Sequence, residues 1–162
     1  MEQRHVISVL VENKPGVLAR VAGMFSGRAF NIHSLAVAPT MDSKLSRMTI
    51  VTHGSEQLIE QILKQLRKLI NVLKVQDLTE GEFVEREMAL IRVKAPSARR
   101  TEILRINEVF RGKVIDMGRD NLTLEVTGSQ SKIQGLLDLL APFGIQELIR
   151  TGAVAIPRAK KS

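Results

Sequence analysis

Cysteine is absent from this 162-residue chain, and so are tryptophan and tyrosine. The first absence excludes disulfides, thiolate metal sites and a cysteine nucleophile together. The second leaves five phenylalanines as the whole aromatic complement, too few for the base-stacking platforms of nucleic-acid modules. No apolar run approaches the roughly 20 residues that cross a bilayer. The N-terminal MEQRHVISVLVEN carries a short apolar run, broken by Ser8 and closed by Glu12, with no small-residue cleavage pattern behind it. A cytoplasmic, unprocessed chain is the expectation.

Apolar residues make up 44% of the chain and charged residues 25%, the profile of a packed globular protein. The length allows one sizeable domain or two small ones. The net charge is +7, but the cations are dispersed: Lys64, Arg67 and Lys68, then Arg99, Arg100, Arg105 and Arg111, then the terminal PRAKKS. Such dispersal reads as solvated helix faces, and it suits an acidic protein partner as well as a nucleic acid.

One order of elements occurs twice. In the first half a strand over His5 to Val11 leads to a helix with Leu18, Val21, Ala22 and Phe25 at helical spacing. Strands over Asn31 to Ala38 and Ser46 to Thr52 follow, then a helix with Leu58, Ile59, Ile62, Leu63, Leu66, Leu69 and Ile70, then a strand from Val72 to Leu78. In the second half MALIRVKA, KVIDMG, NLTLEVTG and IQELIRT read as strands, and PSARRTEILRINEVF and SKIQGLLDLLAPF as helices. Leu122, Leu124 and Val126 alternate with Thr123, Glu125 and Thr127, the mark of a sheet with one wet face.

Both halves are βαββαβ, so the fold class is α+β with two ferredoxin-like domains, each sheet covered by helices on one side only. The expected boundaries are 1–78 for the first domain, 79–87 for a glutamate-rich linker, 88–158 for the second domain and 159–162 for a basic tail. Open sheet edges and small size point to a dimer.

No catalytic constellation emerges. His5, His33 and His53 occur singly, outside any metal-ligand spacing, and DMGRD reads as a turn. An RNA recognition motif shares the βαββαβ order, but its central strands here would be VISVLV and RMTIVT, without aromatics, and the five phenylalanines fall in helices, at helix ends or in the linker.

The stretch ENKPGVLARV (12–21) stands apart. Pro15 and Gly16 make a common way into a helix. The same residues leave free N–H groups and the positive end of a helix dipole, a seat for a carboxylate. Asn13 and Asn31 supply amides able to meet an ammonium or carboxylate group, and Val17, Leu18 and Ile32 an apolar wall. Plain turn and seat for a small apolar amino acid both remain open on these residues.

The sequence SVLVENKPGVLARVAGMFSGRAFNIHSLAVAPT followed by LSRMTIV resembles the ACT domain of the acetohydroxyacid synthase (acetolactate synthase) regulatory small subunit. The likeness continues through VLKVQDLT, VERE, ILRINEVFRGKVIDMG, LTLEVTG, LLAPFGI and RTGAVAI, from about residue 4 to 158. It implies an N-terminal ACT domain, a C-terminal ferredoxin-like domain and a homodimer joined side by side through the ACT sheets. It further implies activation of a separate catalytic large subunit, to which thiamine diphosphate, magnesium and FAD would belong, and feedback inhibition by valine or another branched-chain amino acid. Carried onto this chain, the effector seat consists of Asn13, Gly16, Val17 and Leu18 from one protomer and Asn31 and Ile32 from its partner. Ala29 stands where the family usually has glycine, His33 where glutamate is common, and MDSK replaces a more acidic hairpin. The second domain has Pro96 and Ser97, an expected N-cap, in place of the Pro-Gly handover. It is expected to contact or activate the catalytic subunit, alone or together with the ACT domain, and not to hold valine. A stand-alone amino-acid sensor built on ACT domains is the remaining alternative.

Overall fold

The computed structural model describes residues 2–27 and 30–160. By internal contacts the chain divides into two units, residues up to Val84 together with those from Ala153 onward, and residues 85–152.

The first unit is built from β1 (Gln3–Glu12), α1 (Val17–Ser26), β2 (Ile32–Pro39), β3 (Leu45–Gly54), α2 (Glu56–Arg67), β4 (Val72–Asp77) and a 3-10 turn (Leu78–Glu80). Its strands form an antiparallel sheet in the order β2-β3-β1-β4. The β1–β3 register runs from Gln3 opposite Gly54 to Glu12 opposite Leu45. Alternation along β1 divides its apolar residues between the two faces of the sheet. Ile7, Val9 and Val11 pack toward Val21, Phe25, Ile59, Ile62 and Leu66 on the helix side, while Val6 packs on the opposite face. Ser55 starts α2 by accepting the Leu58 N–H at 3.3 Å, and Lys64 and Arg67 in the last turn suit the negative end of the dipole.

The second unit contains α3 (Arg100–Val109), β6 (Lys113–Met117), β7 (Asn121–Gly128), α4 (Gln130–Leu140) and β8 (Ile145–Arg150). The strand β5 (Phe83–Lys94) passes into it from the first unit, giving the order β6-β7-β5-β8. Ala89, Ile91, Val93, Leu122, Leu124 and Val126 close on Ile103, Ile133, Leu136 and Leu140. The two ferredoxin-like sheets are those the periodicity predicts.

Several boundaries move. The expected linker is structured: β5 already begins at Phe83, and Glu87, 8% exposed, is ion-paired with Arg150. Glu87 at least reflects a charge pair and not a solvated tether. Residues beyond the expected last strand form a further strand, β9 (Val154–Pro157), which pairs with β5, the Arg158 N–H donating to the Glu82 carbonyl at 3.0 Å. Ala153 and Ala155 pack on Val6, Val51, Leu78 and Phe83. Thus 153–158 belong with the first unit, and the first sheet is partly covered on the face expected to be bare. Ser97 does not cap α3: the Arg99 N–H closes a turn on the Pro96 carbonyl at 2.9 Å, the helix starts at Arg100 and no side chain caps it.

Candidate functional site

The handover from β1 to α1 is built by a glycine in the left-handed region. Gly16 has φ 85° and ψ −10°, and no side chain caps the helix it introduces, whereas α2 and α4 are capped by Ser55 and Ser129. The first intrahelical bond runs from Arg20 N–H to the Gly16 carbonyl at 3.0 Å, and Val17 N–H makes only a long 3.4 Å contact with the Lys14 carbonyl. The N–H groups of Gly16, Leu18 and Ala19 find no partner among the described residues. This is the donor set an anion meets at a helix start.

The neighbouring charge is already used. Lys14 Nζ stands 2.7 Å from Glu12 Oε2, and its hydrogen bond holds the Glu12 carboxyl below the usual carboxylate range. Backbone N–H groups, not a lysine, are thus the groups left for a carboxylate here. Asn13 is pinned: its N–H donates to the Lys44 carbonyl at 2.7 Å and its Nδ2 to the Ser43 carbonyl at 3.0 Å. One Nδ2 hydrogen and Oδ1 remain, and Oδ1 is an acceptor that suits an ammonium group. Asn71 ties the same corner to the β4 side, accepting from Glu12 N–H and from Arg20 Nη1, each at 2.9 Å. Ser43, Lys44 and Asn71 were not legible as site supports. The only signal was the MDSK turn, in which Asp42 Oδ1 accepts the Lys44 N–H at 3.0 Å.

The two apolar candidates on α1 separate. Val17, 5% exposed, joins the core with Val21 and Phe25, whereas Leu18, 45% exposed, faces outward. The buried stripe is 17-21-25 instead of the expected one through Leu18, so only Leu18 offers a wall. Asn31 is exposed, its carbonyl accepting from Thr52 Oγ1 at 2.7 Å, and the half-buried Ile32 lies opposite Thr52. Asn13 adjoins the Leu45 end of β3, and Asn31 the Thr52 end. Seven residues of strand, roughly 23 Å at about 3.3 Å each, separate the two ends. One protomer brings Asn13, Gly16 and Leu18 together and leaves Asn31 and Ile32 at the far end of the same sheet. Ala29 lies outside the described residues.

The histidines are not isolated in space. His33 and His53 meet edge to face with centroids 5.3 Å apart, and buried His5 Nδ1 lies 2.8 Å from Asp77 Oδ2. Among the described residues no three His, Asp or Glu side chains gather to hold a metal ion, and no helix is long and apolar enough to cross a membrane.

Fold and corner together define a tandem ferredoxin-like protein whose first domain opens a helix end beside a strand, the arrangement of an ACT domain. Residues 7–74 match the model of the AHAS small subunit-like ACT domain, and residues 86–159 that of the small subunit of acetolactate synthase. The chain is 52% identical to a probable acetolactate synthase small subunit of Archaeoglobus fulgidus, over 98% of this chain and 99% of that one. It is also 52% identical to the acetolactate synthase small subunit of Aquifex aeolicus, over 96% and 82% respectively. The crystal structure of an acetolactate synthase small subunit from Thermotoga maritima superposes with a TM-score of 0.89 at 42% identity, over 98% of this chain and 99% of that one. The chain belongs to the acetolactate synthase small-subunit family.

Proposed function

We propose that this chain is a regulatory subunit that activates an acetolactate synthase catalytic subunit and lowers its activity when a branched-chain amino acid, valine foremost, occupies a seat shared by two ACT domains. The observation that carries the reading is the separation of the half-sites. The open start of α1 and Asn13 Oδ1 lie at one end of the first sheet, Asn31 and Ile32 at the other. The strand between, β2, is an edge strand. Antiparallel pairing of β2 with its copy would carry the partner's Asn31 to the end where Gly16 and Leu18 lie, so each half-site completes the other. The effector carboxylate would take the N–H groups of Gly16 and Leu18, its ammonium Asn13 Oδ1, and its side chain the Leu18 and Ile32 surfaces.

Regulation then follows from linkage. Valine inhibits only to the extent that it binds the pairing of ACT domains found in the inhibited holoenzyme more tightly than that in the active one. Titration of valine is expected to raise the melting temperature of the purified protein. Gly16→Asp abolishes the rise, because it puts a negative charge where the carboxylate sits while aspartate tolerates the left-handed backbone better than most residues. Normal valine binding by Gly16→Asp sinks the seat. The regulatory half is tested by acetolactate formation with the purified catalytic subunit, where no change on adding this chain refutes it.

A further inference from the structure

The face of the first sheet turned away from α1 and α2 carries a groove of about 400 Å³. Its floor is Ala36, Ala38 and Thr49, one wall is Val154 and Ala155 of β9, and Arg47 lies across it. Register places these residues on one face: Ala36 opposite Thr49 and Ala38 opposite Arg47 on β2 and β3, with Thr49 opposite Ser8 and Arg47 opposite Leu10 on β1. Two alanines at alternate positions leave a shallow channel along the strands, and β9 raises its side. Val154 is 52% exposed although it borders this channel.

The charge along the groove is positive. Arg47 Nη1 donates to Ser8 Oγ at 2.8 Å, and among the described residues no carboxylate pairs with it. Lys74, opposite Leu10 on the same face, is also without a carboxylate partner among them. The carboxylate at the end of this face, Glu12, is held by Lys14. An apolar channel crossed by an unneutralised guanidinium complements a protein segment that offers an aliphatic or aromatic anchor beside an aspartate or glutamate.

We infer that this groove, bounded by β9, is a docking surface for an acidic, apolar segment of the catalytic subunit. The inference rests on the regulatory reading above and adds where the partner is gripped. It also assigns a role to Val154 and Ala155, which complete the wall after the second unit has ended.

The test uses the full-length chain and its purified cognate catalytic subunit, with affinity measured by sedimentation or surface titration at two salt concentrations. Val154→Glu puts a carboxylate beside Arg47, and Arg47→Ala removes the cation. Each is expected to weaken binding by at least about tenfold, equivalent to about 1.4 kcal/mol. Raising salt is expected to weaken the unaltered chain more than Arg47→Ala. Val154 is exposed, so Val154→Glu is expected to melt as the unaltered chain does, and Ile115→Glu, on exposed β6 of the second unit, is the control. Affinity within twofold of the unaltered chain for both groove variants overturns the docking site. Failure of the unaltered chain to bind overturns the regulatory reading itself. Loss of the valine-induced thermal shift in Val154→Glu with partner affinity intact places a small molecule in the groove and also overturns the inference.

Discussion

Gly16 shows how one residue can set a backbone turn and leave N–H groups open for a ligand. At φ 85° it occupies a region that L side chains enter at a cost of roughly 1–2 kcal/mol, yet a Cβ added there would meet nothing within 4 Å. The constraint is therefore conformational and not steric. Gly16→Ala is expected to lower stability by about 1 kcal/mol, read as a smaller urea midpoint at unchanged slope, and Gly16→Asn by less, since asparagine tolerates the left-handed region. Equal losses for both would show that space, not dihedral angle, restricts the position. The presence of Pro15-Gly16 was legible as a handover, and the free N–H groups followed from helix geometry. That Lys14 is engaged by Glu12, and Asn13 by the 40–44 hairpin, was not, because both pairings depend on where the backbone places groups that in sequence only look polar.

At the scale of elements the informative piece is β9. Its four residues are too short for periodicity to identify, and its apolar letters fit a frayed tail equally well. In the folded chain it lies against Val6, Val51 and Leu78, which are 1%, 0% and 3% exposed. Truncation after Gly152 should uncover them and destabilise the first unit by on the order of 2 kcal/mol, the scale of exposing one large aliphatic side chain. Faster hydrogen exchange at Val6 and Val51 is the expected readout, and unchanged protection there would show that β9 contributes no cover. The helices behaved more simply. Sustained apolar stripes located α2 and α4 but ran each about three residues past its observed C-terminal end, to Ile70 against Arg67 and to Phe143 against Leu140, whereas α3 starts late because a turn at 96–99 precedes it.

For the molecule as a whole, the proposed effector seat would tie ligand binding to association. If Asn31 and Ile32 of one protomer complete the site of another, valine stabilises the pair over the separate chains by mass action. Sedimentation equilibrium is expected to find a dimer of two 18.0 kDa chains, whose dissociation shifts to lower protein concentration as valine is added. A valine-insensitive dimer constant would argue that each chain binds its effector alone. The charge of +7 would enter at this scale too, if an acidic segment docks on the face that carries Arg47 and Lys74 as proposed.

Periodicity and turn chemistry by themselves determined the twofold βαββαβ plan, because apolar spacing of two or of three to four is imposed locally by strand and helix geometry. They also marked the glycine handover, since a left-handed residue before a helix demands a particular residue type. Tertiary structure alone decided that Val17 is core and Leu18 surface, that 153–157 return to the first unit, that 83–87 are strand, and that Asn13 and Asn31 stand at opposite ends of one sheet. Each depends on which distant surfaces meet, and burial and register are properties of the packed pair of elements, which neither segment encodes alone.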